Sequence, residues 1–146
     1  MVLGLAILAT LPVAAQSNEL IDRVLASPSI TYGDAAYLVL LGSGRIDETT
    51  PIADAVREAE SAPVALGKAA EDPLTLGDFS LLTMESFGIP GGMMYRLLPL
   101  PRYATRELAF RDVVQGRTYP RMALSGERAL RIVGRVLTLQ EQGRLR

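Results

Sequence analysis

The chain contains neither cysteine nor histidine, and its only lysine is Lys68. Without cysteine there are no disulfides, no thiolate nucleophile and no thiol to carry a lipid anchor. Without histidine the commonest general base is missing, and the usual zinc ligand sets go with it. Any catalysis would rest on carboxylates, tyrosine, arginine, serine or Lys68. That scarcity argues against an enzyme, and no metal or other cofactor is expected. Glycine-containing stretches such as GSG at 42–44 and GIPGG at 88–92 lack the lysine and hydroxyl of a phosphate loop, so they read as turns.

What is present begins with MVLGLAILATLPVAA. Residues 1–15 are uncharged and apolar and end in small side chains, the pattern of a secretory signal lacking its basic start. Val13 and Ala15 would occupy the small-residue positions before the cut. The run is too short for a membrane span, and a buried N-terminal helix is the competing reading. Removing it leaves residues 16–146 as one exported domain of the periplasm or cell envelope, without a transmembrane anchor. An apolar content of 49% suffices for a single core.

The net charge of −1 hides an asymmetry. Residues 16–89 hold 4 basic and 12 acidic side chains, whereas residues 90–146 hold 11 arginines and 4 acids. A basic C-terminal part suits an anionic polymer or an acidic partner, unless the two halves neutralise each other. Nucleic acid is not an expected partner, because the overall charge is balanced and no reading helix or aromatic platform is recognisable.

No run alternates apolar and polar residues convincingly, so the chain reads as all-α. SNELIDRVLAS, capped by Ser17 or Asn18, is expected as a short helix ending before Pro28. Thr31 caps a second that stops at GSGR, residues 42–45. Thr50 and Pro51 open a third, with Ile52, Ala55, Val56 and Ala59 as its stripe. A fourth runs from Leu74 to about Phe87. Residues 88–101 are expected to be irregular, with Met93, Met94, Tyr95, Leu97 and Leu98 as an apolar middle. RYATRELAFRDVVQG is expected as a helix reaching Val113 and Val114, and the last starts at Leu124 or Ser125 and continues to Glu141.

Three of these starts echo one another. Aligned without gaps they read ITYGD, LTLGD and ALSGE. Gly33 coincides with Gly77 and Gly126, and Asp34 coincides with Asp78 and Glu127. Hydroxyls at Thr31, Thr75 and Ser125 can accept from unpaired backbone N–H groups, and an acid in the first turn completes the box and opposes the helix dipole. Glycine in a first turn costs about 0.5–1 kcal/mol relative to alanine. Its repetition predicts close backbone packing at equivalent places. The intervals of 44 and 49 residues between the acids are the size of a two-helix repeat.

These features resemble the surface-layer homology domain, whose repeats carry a second helix opening Ile-Thr-Arg-Ala-Glu. YATRELAFRDVVQGRTYPRMALSGERALRIVGRVL resembles nearly a whole repeat, and PIADAVREAESAPVALGKAAEDPLTLGDFSLLTMESFG a second. NELIDRVLAS with SITYGDAAYLVLLGSGR would form the first. The resemblance implies a compact pseudo-threefold helical bundle that anchors exported proteins to anionic cell-wall polysaccharide. The motif arginine, a principal contact in that family, is replaced here by Tyr32, Leu76 and Ser125.

Other residues are therefore candidates for the anionic polymer. Arg128, Arg131 and Arg135 fall on one helix face, with Arg121 just upstream, and guanidinium forks suit carboxylates and phosphates. A solvated charge stripe is the plainer alternative. Met93, Met94 and Tyr95 are candidates for docking an envelope protein, as a subunit of a larger assembly; in the alternative, Met93, Tyr95 and Leu98 cover the core. Asp34, Asp78 and Glu127 could serve a carboxylate-dependent wall hydrolase, although each has sufficient work at its helix start.

Overall fold

The computed structural model describes residues 13–146, with side chains from Ser17 onward. Among these residues seven helices follow one another: α1 (Val13–Ala26), α2 (Tyr32–Gly42), α3 (Ile52–Glu60), α4 (Leu76–Phe87), α5 (Met93–Leu97), α6 (Pro101–Phe110) and α7 (Gly126–Glu141). Among the described residues there is no strand, only isolated antiparallel bridges from Thr31 to Pro73 and from Thr75 to Ala123. No described helix is long and apolar enough to cross a membrane. The fold is all-α.

Two helices form the interior. In α2 every residue from Tyr32 to Leu40 is buried, as expected of a helix apolar on all sides. In α4 the buried hydroxyls of Ser80 and Thr83 each donate to a carbonyl four residues back, Leu76 O and Phe79 O, both at 2.7 Å. They are satisfied within their own helix and need no polar partner in the core. α7 contributes one face, through Ala129, Ile132, Val136 and Leu139. The other long helices pack around these: α3 against α2, α6 against α4, and α1 against α7.

The segments before α2, α4 and α7 interlock through the backbone. Ile30 N donates to Leu124 O at 2.8 Å, and Leu74 N donates to Ile30 O at 3.0 Å. The side chains of Ile30, Leu74 and Leu124 are all fully buried. Further out, Gly33 N donates to Ala70 O, Gly77 N to Pro120 O and Gly126 N to Ser27 O, at 2.8, 2.7 and 3.0 Å. A side chain on these glycines would collide. A Cβ at Gly33 would stand 2.7 Å from Ile52 Cγ2 and 3.1 Å from Ala70 O. At Gly77 it would stand 2.8 Å from Pro101 Cβ and 2.9 Å from Pro120 O, and at Gly126 it would overlap the Val24 carbonyl oxygen.

The third start is shifted by one residue from the gap-free alignment. Thr31, Thr75 and Ser125 are the N-caps, accepting from Asp34 N, Asp78 N and Arg128 N at 3.3, 3.2 and 3.3 Å. Gly33 and Gly77 are thus the second residues of their helices, whereas Gly126 is the first. The position of the box acid falls on Arg128. Glu127 completes no box and pairs with Arg131 instead.

Other boundaries differ from expectation for local reasons. Residues 1–12, most of the expected signal, lie outside the described residues. Among the described residues α1 runs from Val13, so Ser17 and Asn18 lie inside the helix rather than at its N-cap. The upstream Val-Ala-Ala-Gln contains nothing that stops a helix, and alanine favours one. Thr50 does not cap α3, because its hydroxyl donates to Asp47 Oδ1 at 3.2 Å and Pro51 takes the cap position. α6 ends at Phe110 rather than reaching Val114. Asp112 turns left-handed at φ 59°, a conformation aspartate tolerates, and Val113 and Val114 tuck into the core. Their N–H groups both reach Leu108 O, at 2.8 and 3.1 Å. Residues 88–101 are not wholly irregular, since they contain α5.

Candidate functional site

The spacing along α7 brings Arg128, Arg131 and Arg135 to one cleft of about 250 Å³, bordered also by Val113, Gln115, Ile132 and Thr138. The early turn after α6 carries Val113 and Gln115 up to α7. Sequence reasoning misses both, because the stretch reads as helix. An aspartate at 112, a residue type that tolerates the left-handed turn found there, is a weak signal in a run that otherwise reads as helix.

The three arginines do different work. Arg128 is committed to the fold: its guanidinium donates to Gln115 O at 2.9 Å, to Arg117 O, and to Met122 Sδ at 3.3 Å. Burial, and then the neighbouring Arg131 charge, hold it below the usual arginine range. Arg135 donates through Nε to Asp112 O at 3.1 Å. That single bond ties the stem of Arg135 and leaves both terminal nitrogens without a hydrogen bond among the described residues. Arg131 pairs with Glu127 at 2.5 Å across two exposed side chains, a contact of small energetic worth. Arg131, in an exposed and easily exchanged ion pair, and Arg135, through its terminal nitrogens, are therefore the groups that can turn to an anion. Arg121 does not join them. It borders a separate hollow at the start of α4 with Thr75, Asp78, Leu100, Pro101, Arg102 and Pro120.

The three acids each have a partner. Asp34 is bonded by Arg23 of α1 at 2.6 Å. Asp78 bonds back to Thr75 N at 3.5 Å, completing a capping box, and faces Lys68 at 3.7 Å. Glu127 has Arg131. Each is placed to stabilise a helix start, and the arrangement offers no free acid–base pair. No group of three or more acids among the described residues could hold a metal ion.

Met93, Met94 and Tyr95 do not act together. Tyr95 turns inward and donates to Glu85 Oε1 at 2.7 Å, while both methionines are exposed. Of the three side chains that could cover the core (Met93, Tyr95 and Leu98), only Tyr95 does so. Tyr32 makes a comparable bond, donating to Glu60 Oε1 at 2.6 Å; Glu60 also accepts from Leu66 N and Gly67 N. Burial first, then the hydrogen bond and the glutamate charge, raise both phenols well above the usual tyrosine range.

A pH dependence follows. The unfolded chain loses these protons near pH ~10 while the folded chain keeps them, so their stabilisation is intact below that value and falls as pH rises further. The expected result is that tyrosinate absorbance from Tyr32 and Tyr95, isolated by difference from Tyr32→Phe and Tyr95→Phe variants, rises together with loss of helical circular dichroism. Ionisation of either phenol at its ordinary value with the helices intact would contradict the bonding described.

No family model, no curated protein and no solved structure matches this chain.

Proposed function

We propose that the protein is a non-enzymatic binding module of the cell envelope, holding an anionic wall polymer at the α7 arginine cleft. In this reading the chain is exported after loss of residues 1–15. It is built as three degenerate helix–loop–helix units, α1/α2, α3/α4 and α6/α7, around a pseudo-threefold axis. The succession of contacts supports that architecture. Each unit's first helix packs on the preceding unit's last, and α1 packs on α7. The glycine hydrogen bonds run in the same cyclic sense, from Gly33 to Ala70, Gly77 to Pro120 and Gly126 to Ser27.

The observation that carries the binding reading is a pair of guanidinium groups at one cleft, Arg131 held only by its exposed ion pair with Glu127 and Arg135 bonded only through Nε. Their forks match the carboxylate or phosphate oxygens of an acidic polysaccharide, and a repeating polymer can engage them in succession. The hydrolase reading has no comparable support, since Asp34, Asp78 and Glu127 are all engaged.

The test is co-sedimentation with purified sacculi that keep their attached polymers, at low and at high salt. The wild-type chain is expected to bind at low salt and release at high salt. Arg131→Gln with Arg135→Gln should weaken binding about tenfold or more, since charge-assisted bonds contribute roughly 1.5–3 kcal/mol each. Neither side chain carries the fold, so the melting temperature should hardly move. Binding unchanged in the double variant would defeat the assignment.

A further inference from the structure

Six of the ten large apolar side chains that stand exposed among the described residues lie between Met93 and Phe110. They include the two most exposed, Phe110 at 86% and Met93 at 77%, together with Leu97 at 69%. The helix α5 is inverted relative to an ordinary surface helix, because its one buried side chain is Tyr95 while Met93, Met94 and Leu97 face outward. The inversion is held in place. Tyr95 is pinned by Glu85 at 2.7 Å, and Arg111 of the α6 terminus donates to Pro90 O at 2.6 Å. Met93, Met94 and Phe110 wall a groove of about 490 Å³ together with Arg106, Glu107 and Arg111. Residues 88–111 contain four arginines and a single acid, Glu107.

We infer that this face is a membrane-docking surface that seats the protein on an anionic lipid bilayer. Apolar side chains that protrude clear of a protein insert among acyl chains, and flanking arginines meet lipid phosphates while their stems stay in the apolar layer. Arg96 stands on α5 itself, and Arg106 borders the same groove as Phe110. Their charge selects an anionic bilayer over a neutral one. A protein partner would need an apolar surface shaped to these knobs, whereas a fluid bilayer accepts them without a matching shape. A hydrated glycan would leave Met93, Leu97 and Phe110 in water. The inference uses no residue of the α7 cleft.

The experiment is vesicle flotation of the full chain with phosphatidylcholine alone and with phosphatidylcholine containing phosphatidylglycerol, at low and high salt. The paired variant Leu97→Ser with Phe110→Ser is run alongside. Both positions are exposed, so the variant should melt like the wild type. The expected result is flotation only with phosphatidylglycerol, reduced by salt, and weakened at least about tenfold in the variant. Three results would overturn the inference. One is no flotation with either vesicle. Another is equal flotation of wild type and variant, which would place any membrane affinity elsewhere in the chain. The third is self-association of the wild type that the variant abolishes, which would make the face a contact between copies.

Discussion

Gly126→Ala is expected to destabilise the protein by about 3 kcal/mol or more, the scale of a severe overpacking. The added methyl would overlap the Val24 carbonyl oxygen, and the neighbouring Val24 carbonyl carbon would be only 2.6 Å away. Those are backbone atoms at the end of α1, so no rotamer change makes room. Retreat of α1 would also stretch the Gly126 N–Ser27 O bond. Gly134 on the same helix is the control. It is exposed, and a methyl added there would meet nothing within 4 Å, so Gly134→Ala should stabilise by about 0.5–1 kcal/mol through helix propensity. The other two starts should lie between these. Gly77→Ala presses on Pro120 O at 2.9 Å, and Gly33→Ala mainly on the Ile52 side chain and Ala70 O at 3.1 Å. Urea denaturation would rank the four variants. If Gly126→Ala matched wild type, the close approach of α1 to α7 would be wrong.

Leu124→Ala is the second large effect, expected to cost about 3–4 kcal/mol. The side chain is fully buried, as are those of Ile30 and Leu74 on the other two interlocked segments. Its carbonyl accepts from Ile30 N, so its backbone is fixed, and the surrounding segments are poorly able to collapse into the space vacated. Leu137→Ala, on the outer part of α7 and 38% exposed, should cost no more than about 1 kcal/mol. Chemical denaturation with an unchanged m-value would assign the difference to native packing. Equal costs at the two positions would mean that Leu124 is not at a rigid junction.

The glycine prediction rests on positions whose residue type stands out before any contact is known, whereas Leu124 stands out only once its burial is seen. A hydroxyl followed by a carboxylate three residues on is a local device: cap and acid lie within one turn, so Thr31, Thr75 and the α4 box are legible without knowing the fold. The glycines are legible as an anomaly, since a residue that weakens a helix recurs at its start. The partners pressing on them are not, because Ala70, Pro120 and Val24 lie far away along the chain. Thr50 shows the limit of the cap argument. Asp47 competes for its hydroxyl, and the outcome depends on a turn geometry that the motif does not encode.

The arginines divide in the same way. The spacing of Arg128, Arg131 and Arg135 places them on one face of α7, which follows from helical periodicity alone. That Arg128 is spent on the Gln115 and Arg117 carbonyls, while Arg135 keeps two free nitrogens, follows from the path of the turn after α6. That path depends on where the helix stops. At Phe110 the local preference is to continue, and burial of Val113 and Val114 overrides it.

The sequence by itself determined the helical class, the capped starts of α2, α4 and α7, and the split of charge between the two halves. All of these are set by interactions within a few residues or by composition. Only the tertiary structure decided that the three starts interlock through backbone hydrogen bonds, that Arg121 parts from the other arginines, and that α5 turns its apolar side chains outward. The reason is common to all three. A side chain's neighbours across the fold are fixed by the sum of burial over the whole core, and no window of a single chain segment contains that sum.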